Sequence, residues 1–241
     1  MTSSESPRMD WDSIKVWRKA RRAELIARRE ALLLEQRRAW NEKITGLLID
    51  GFPLPPDTIV GFCWPYKAEF DPRFALRRWR EHGVTSALPE VVGKGEPLKF
   101  RKWSPGVAMR AGVYDIPFPV GTDEVVPDVA IVPMNGFDEQ GYRLGYGGGY
   151  FDRTLAKWGS RMLVIGVSYE ALRLQTIYPQ PHDIPMDFVV TETGIHLVRG
   201  GRLDLIDEAA SAAHTRCLFA ARHLPRSAPA EPGGQFSSPP C

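Results

Sequence analysis

"DVAIVPMNGFDEQGYRLGYGGGYFDRTLAKW", Asp128 to Trp158, changes character twice. It opens as an apolar, β-rich run, Asp128 to Met134, of the kind that forms a buried strand. It then crosses a stretch holding Gly136, Gly141, Gly145, Gly147, Gly148 and Gly149. From about Tyr150 to Trp158 it takes a helical pattern. Strand, loop and helix in this order form the repeating unit of an α/β sheet.

The flanking sequence repeats the unit. "TIVGFCW", Thr58 to Trp64, reads as a buried strand. Asp71 and Pro72 follow as an N-cap and first helical position, and the helix through "RFALRRWREH" stops at Gly83. "VTSALPEVV" and "PLKFRKW" read as two more strands, and residues 104–127 as a loop rich in Pro and Gly. "RMLVIGVSY" and "DFVVTETG" complete the set. Upstream, residues 1–10 are polar and expected to be loose. Trp11 to about Trp40 lacks Gly and Pro, and Ile14, Trp17, Arg21, Leu25, Arg28 and Leu32 recur at helical steps, so one long helix is expected there. A second is expected over Asn41 to Asp50, ended by Gly51 and Pro53. The expectation is an α/β domain over residues 11–207, its mostly parallel sheet covered on both faces. Residues 208–241, rich in Ala, Ser and Pro, are expected to form a helix stub and a disordered tail.

Composition narrows the function classes. The chain has 241 residues, 43% hydrophobic and 25% charged, with a net charge of +2. That charge alone does not call for nucleic acid. Arg18 to Arg38 is locally basic, with 8 Lys or Arg against 3 Glu; this is a solvated face, a weak RNA-binding patch, or a pair of guanidiniums, Arg18 and Arg22, aimed one turn apart at phosphates. Three widely spaced cysteines, no apolar leader and no apolar run of about 18 residues predict a reduced, soluble, cytoplasmic protein with no membrane partner.

The glycine stretch carries the chemistry. Ligands of open α/β sheets sit beyond the carboxyl ends of the strands. A loop there that runs into a helix N-terminus offers unpaired N–H groups and a positive dipole end to a phosphate. Gly145, Gly147, Gly148 and Gly149 let the backbone approach, and Arg143 supplies a forked cation. Asp152 falls in the first helical turn, where a carboxylate can hold a Mg²⁺ on those phosphates. Neither GxxxxGK[ST] nor GxGxxG is present, since Tyr150 fills the last position of the latter. The plainer alternative is a hairpin turn at Asp138 to Gly141 followed by a flexible linker. Asp183, in "QPHDIPMD", is a second Mg²⁺ ligand or a turn cap. Glu69, after the first strand, takes N–H groups from a heterocycle or is a solvated loop carboxylate. His182 is assigned no catalytic role.

Together these pieces resemble the 5-formyltetrahydrofolate cyclo-ligase family, also called 5,10-methenyltetrahydrofolate synthetases. The likeness rests on "GFDEQGYRLGYGGGYFDR", supported by "HD", "VVTETG", Glu69 and "RKARRAELIARREAL", and runs from about Val16 to Val198. It implies a three-layer α/β/α domain similar to the NagB/RpiA/CoA-transferase group. It implies an ATP- and Mg²⁺-dependent ring closure of 5-formyltetrahydrofolate to 5,10-methenyltetrahydrofolate, through phosphorylation of the formyl oxygen and attack by N10. By motif, Arg18 and Arg22 would meet ATP phosphates, and Arg143, Leu144, Gly145, Tyr146, Gly147, Gly148, Gly149, Tyr150 and Phe151 would wrap the nucleotide. Tyr146 and Tyr150 would also border the folate, Glu69 and Trp64 would contact its pterin, and Asp152 and Asp183 would hold Mg²⁺. The chain departs from the pattern at Gly148, where many members carry Lys, at Arg18, where Lys is frequent, and at Phe118 in "DIPFP", where Glu often stands. Other readings are a paralogue using the same ATP site on another folate-like or acyl substrate, a non-catalytic nucleotide- or RNA-binding protein, and a sugar-phosphate isomerase of the same fold.

Overall fold

The computed structural model describes residues 9–113, 116–158 and 161–223. Most of the residues expected to be loose, 1–8 and 224–241, lie outside that set. Helix α1 spans Trp11–Glu30, its N-terminus capped by Asp10, whose Oδ1 accepts the Ser13 N–H at 2.8 Å. Asp12 in its first turn and Arg28 and Arg29 in its last complement the helix dipole. Helix α2 spans Leu34–Gly51. The chain therefore breaks at Ala31–Leu33 rather than near Trp40, with Leu33 in an extended conformation. Neither Gly nor Pro marks this break. Packing forces it: α2 lies flat on the sheet, burying Ile44 and Leu48, while α1 crosses the loops at the sheet's end. One straight helix could not do both.

The remaining elements are β1 (Ile59–Phe62), α3 (Arg73–Arg80), β2 (Thr85–Glu90), β3 (Lys99–Trp103), β4 (Met109–Ala111), β5 (Pro117–Pro119), β6 (Glu124–Val125), β7 (Val129–Pro133), β8 (Gly136–Asp138), β9 (Arg143–Leu144) and α4 (Tyr150–Trp158). After them come β10 (Leu163–Val167), a 3-10 turn (Glu170–Leu172), β11 (Arg173–Leu174), β12 (Phe188–Thr191), β13 (Gly194–Arg199), β14 (Arg202–Ile206) and α5 (Glu208–His223). Nine strands form the main sheet in the order β14-β13-β12-β10-β7-β1-β2-β3-β6. The five central strands are parallel, and antiparallel pairs extend both edges.

Alternation along the strands sets the layers. Val129 and Ile131 pack with Leu25, Ile44, Leu48 and Leu76 of α1, α2 and α3. Ala130 and Val132, on the opposite face, pack with Leu155 of α4. A one-residue slip of β7 would exchange the two faces, which fixes the register. The α/β class with helices on both faces is as expected.

Three findings depart from the sequence reading. Residues 104–127 are not all loop: β6 pairs with β3, and β4 pairs with β5. Strands of two or three residues are too short to show a period. The β13–β14 hairpin turns at Gly200 and Gly201, both at positive φ (+59° and +71°), a conformation that suits glycine. Past Asp207 the chain forms a 16-residue helix, α5. It packs on α2, burying Ser211, Ala212 and Thr215, and Gly51 lies so near Ser211 and Ile195 that a Cβ there would clash. Contacts with the rest of the fold therefore run past residue 207.

Candidate functional site

The glycine stretch begins as a hairpin rooted in the core. Asp138 is fully buried, and its carboxylate accepts the N–H groups of Gln140 and Tyr142 at 3.0 Å each and of Ile177 at 3.0 Å. Burial pushes this carboxyl above its ordinary value, and the three backbone donors hold it back. Gly136 allows α1 to dock: a Cβ there would lie 2.6 Å from Leu25 Cδ1. Beyond Leu144 the chain leaves the hairpin, and Tyr146, Gly147 and Gly148 are exposed. Gly147 and Gly149, at φ +95° and +64°, reverse the chain into α4. Arg22 Nε donates to Gly145 O at 2.7 Å and Arg153 Nη2 to Gly148 O at 2.5 Å. The loop lies past the carboxyl end of β7, at the N-terminus of α4, where an anion is stabilised.

Three arginines around this loop are ion-paired. Arg18 is buried, with Nη2 2.5 Å from Asp183 Oδ2, Nη1 3.3 Å from Oδ1, and further bonds to the carbonyls of Ile177 and Tyr178. Burial raises the Asp183 carboxyl, but Arg18 and the Gln180 N–H outweigh it and hold it below the usual range. Arg143 Nη2 lies 2.8 Å from Asp152 Oδ1, and its Nη1 donates to Ile184 O at 3.1 Å. The same Asp152 oxygen accepts the Ile184 N–H at 3.3 Å.

Arg29 forms the third pair, 3.6 Å from Glu69, with only 1% of its surface exposed. Its Nη2 donates to the Tyr146 hydroxyl at 2.9 Å, and that hydroxyl donates to Glu69 Oε1 at 2.7 Å. Glu69 Oε2 accepts the Tyr66 N–H at 3.0 Å. Arg29 Nε reaches Lys67 O at 2.8 Å, in a loop where Lys67 and Ala68 hold positive φ, an unusual conformation for side-chain-bearing residues. Glu69 is thus not a solvated loop carboxylate. Burial shifts its carboxyl upward, opposed by Arg29, Tyr146 and the Tyr66 N–H. With Cys63, Phe70, Ile131, Pro133 and Val167 it lines a narrow cleft at the ends of β1, β7 and β10. The Cys63 thiol is pushed up by burial and by Glu69's charge, so it stays neutral.

The structure brings together Arg18, Arg22, Arg143, Asp152, Asp183, Tyr146 and Glu69. Phe151 sits beneath Arg143, 5.7 Å from ring centroid to Cζ, and Tyr150 beneath Arg153 at 5.2 Å. Trp64 belongs to a neighbouring stack, with Arg73 over its ring at 4.6 Å and Trp103 at its edge. Leu144 roots the loop: its side chain is in the core and its carbonyl accepts the Asn135 N–H. His182 packs against Trp11.

Arg29 escaped the sequence reading, which placed Arg21 and Arg28 on the inward stripe. The buried stripe of α1 is Ile14, Arg18, Leu25 and Arg29. These steps of four, seven and four residues also fit a helix, so the spacing held the signal and the charge disguised it.

Among the described residues, no group of three or more His, Cys, Asp or Glu side chains is arranged to hold a metal. Mg²⁺ needs only one or two carboxylates when phosphates and water complete its shell. Asp152 fits, since its bonds all fall on Oδ1. Asp183 fits less directly, because Arg18 and Gln180 occupy both of its oxygens.

Comparison with known proteins agrees with the motif. The family model for the 5-formyltetrahydrofolate cyclo-ligase family matches residues 14–192. A 5-formyltetrahydrofolate cyclo-ligase of Mycolicibacterium smegmatis is 35% identical over 119 residues, covering 46% of this chain and 61% of the relative. That of Escherichia coli K12 is 27% identical over 177 residues, covering 70% and 96%. Alignments to the first two relatives, from Mycolicibacterium smegmatis and Haemophilus influenzae, span 61% and 51% of those proteins' length. The solution structure of Aquifex aeolicus 5,10-methenyltetrahydrofolate synthetase superposes with a TM-score of 0.64 at 30% identity, covering 77% of this chain and 94% of that one. With its motif, its fold and a family match over most of its length, the chain belongs to the 5-formyltetrahydrofolate cyclo-ligase family.

Proposed function

We propose that this protein is a cytoplasmic ligase converting 5-formyltetrahydrofolate and ATP to 5,10-methenyltetrahydrofolate, ADP and phosphate. The observation that carries this reading is the juxtaposition of an arginine-ringed glycine loop with the buried Glu69, which holds the hydroxyl of the exposed Tyr146. One end suits a polyphosphate and the other a heterocycle bearing N–H groups.

The chemistry asks for little covalent help from the protein. The formyl oxygen attacks the γ-phosphorus and ADP leaves. N10 then attacks the formyl carbon, the C–O bond breaks, phosphate departs with that oxygen, and the N10 proton leaves with the phosphate. Positioning and charge stabilisation dominate such a transfer. The loop N–H groups and Arg22 would bind phosphate oxygens. Asp152, with Asp183 in support, would hold a Mg²⁺, which lowers the charge on the transferring phosphoryl group. Glu69 would accept N–H groups of the pterin. Its Oε1 now holds the Tyr146 hydroxyl, which stands in for such a donor and would yield to it as the exposed loop closes.

The test is to mix the full-length protein with 5-formyltetrahydrofolate, ATP and Mg²⁺ and follow the near-ultraviolet absorbance of the methenyl product. A rise requiring all three supports the reading. No rise, with ATP still bound in calorimetry, would move the assignment to a paralogue acting on another acceptor. Phe118 gives that alternative a structural footing: it is buried beneath Arg110 and offers no carboxylate.

A further inference from the structure

Five arginines surround the glycine loop, and they divide into two kinds. Arg18, Arg29 and Arg143 are each within 3.6 Å of a carboxylate. Arg22 and Arg153 form no ion pair with any described residue. Each instead spends one N–H on a carbonyl of the loop, Arg22 on Gly145 and Arg153 on Gly148. Arg153 Nε is buried without a partner. Its guanidinium also fills the space beside Gly149, where an added Cβ would lie 2.8 Å from Nη1.

The position of Arg153 is an unusual one for a cation. It sits in the first turn of α4, where the helix dipole already presents positive charge and disfavours a cation. Asp152, next in sequence, pairs through Oδ1 with Arg143 rather than with Arg153. A neutral carbonyl compensates a guanidinium far less than a charged acceptor does. A cation left uncompensated at a helix N-terminus, on the lip of an anion cradle, is placed for an anion that arrives with the ligand. Arg22 grips the loop nearer its start, its guanidinium Cζ 3.3 Å from where a Cβ of Gly147 would stand.

From this geometry we infer that Arg153 is a second phosphate-binding cation of the glycine loop, acting with Arg22 on the polyphosphate of a nucleoside triphosphate. The ring of Tyr150, 5.2 Å from the Arg153 Cζ, steadies the guanidinium before and after the exchange. The inference rests on the proposal that ATP occupies this loop.

The test measures binding of ATP, ADP and AMP with Mg²⁺ to the full-length protein by calorimetry, for wild type and Arg153→Gln. Loss of one charge-assisted bidentate contact is expected to weaken ATP binding about tenfold or more. AMP binding should weaken less than threefold, and the KM for 5-formyltetrahydrofolate at saturating ATP should move less than twofold. Arg153→Met, which keeps the stem over Tyr150, should reproduce the pattern and serves as the folded control if Gln lowers the melting temperature. If wild type binds ATP and both variants match it within twofold, the inference is overturned and the ATP reading stands. Equal losses for ATP and AMP would also overturn it, by showing that Arg153 only orders the loop. If wild type binds none of the three nucleotides, the ATP reading fails and the inference with it.

Discussion

Residues 136–144 and residues 145–149 are neighbours in one glycine-rich stretch, yet they are physically opposite. The first forms the β8–β9 hairpin, largely buried, with Asp138 joining its turn to the Ile177 loop through three backbone donors. The second is exposed at Tyr146, Gly147 and Gly148, and is held by guanidiniums on the Gly145 and Gly148 carbonyls and by the Tyr146 hydroxyl between Arg29 and Glu69. Glycine does different work in each. In the hairpin, Gly136 and Gly141 allow close packing on Leu25 and Val198. In the loop, Gly147 and Gly149 allow positive φ and an open backbone. A rigid root carries an adaptable crown, so the crown can rearrange around a ligand without unravelling the sheet.

Breaking the root should have the largest effect. Asp138→Ala leaves the buried Ile177 N–H and the partly buried Gln140 and Tyr142 N–H groups without their acceptor, and a loss of about 3 kcal/mol is expected in urea denaturation at constant m-value. A loss under about 1 kcal/mol would mean that water replaces the carboxylate and the root is not a root.

Next comes the Arg18–Asp183 clamp, which joins α1 to the loop beside the crown. Its carboxyl titrates lower in the folded state than in the unfolded chain. The clamp's contribution is therefore present above the unfolded value and is lost as pH falls through the folded one. Asp183→Asn should lower stability at neutral pH by about 3 kcal/mol, the cost of leaving a buried Arg half-paired. The wild-type and mutant curves should converge in acid. Parallel curves at all pH values would assign the effect to the turn at Gln180 instead.

The smallest effect is expected in the crown itself. Tyr146→Phe removes the hydroxyl between Arg29 and Glu69 but leaves the direct ion pair. Its exposed ring should make the stability change about 1 kcal/mol or less. If that hydroxyl stands in for a substrate donor, the KM for the folate should change by only a few fold. A loss of stability like that of Asp138→Ala would place Tyr146 in the root.

The same contrast explains what was legible beforehand. The helix expected over Tyr150 to Trp158 is α4, with those bounds, because a glycine run on one side and an amphipathic face on the other both mark it. The parallel strands were legible because Val129–Pro133 and Leu163–Val167 are continuous apolar runs. The break at Ala31–Leu33 was not, because it answers to what α1 and α2 pack against rather than to a local breaker. Arg29 was hidden because a buried cation on a helix reads as a polar face unless its carboxylate, 40 residues downstream at Glu69, is seen in contact. Leu144 lies within the motif while its side chain belongs to the core, which only the folded structure shows. Proximity in a motif is not orientation.

The most direct measurement is amide hydrogen exchange across residues 136–149, with and without Mg²⁺ and ATP. The account predicts slow exchange over 136–144 in both conditions, and fast exchange over 145–149 that slows at least tenfold when ATP is added. Equal exchange in the two halves, or a crown whose exchange ATP leaves unchanged, would contradict the claim that this loop is the nucleotide's cradle.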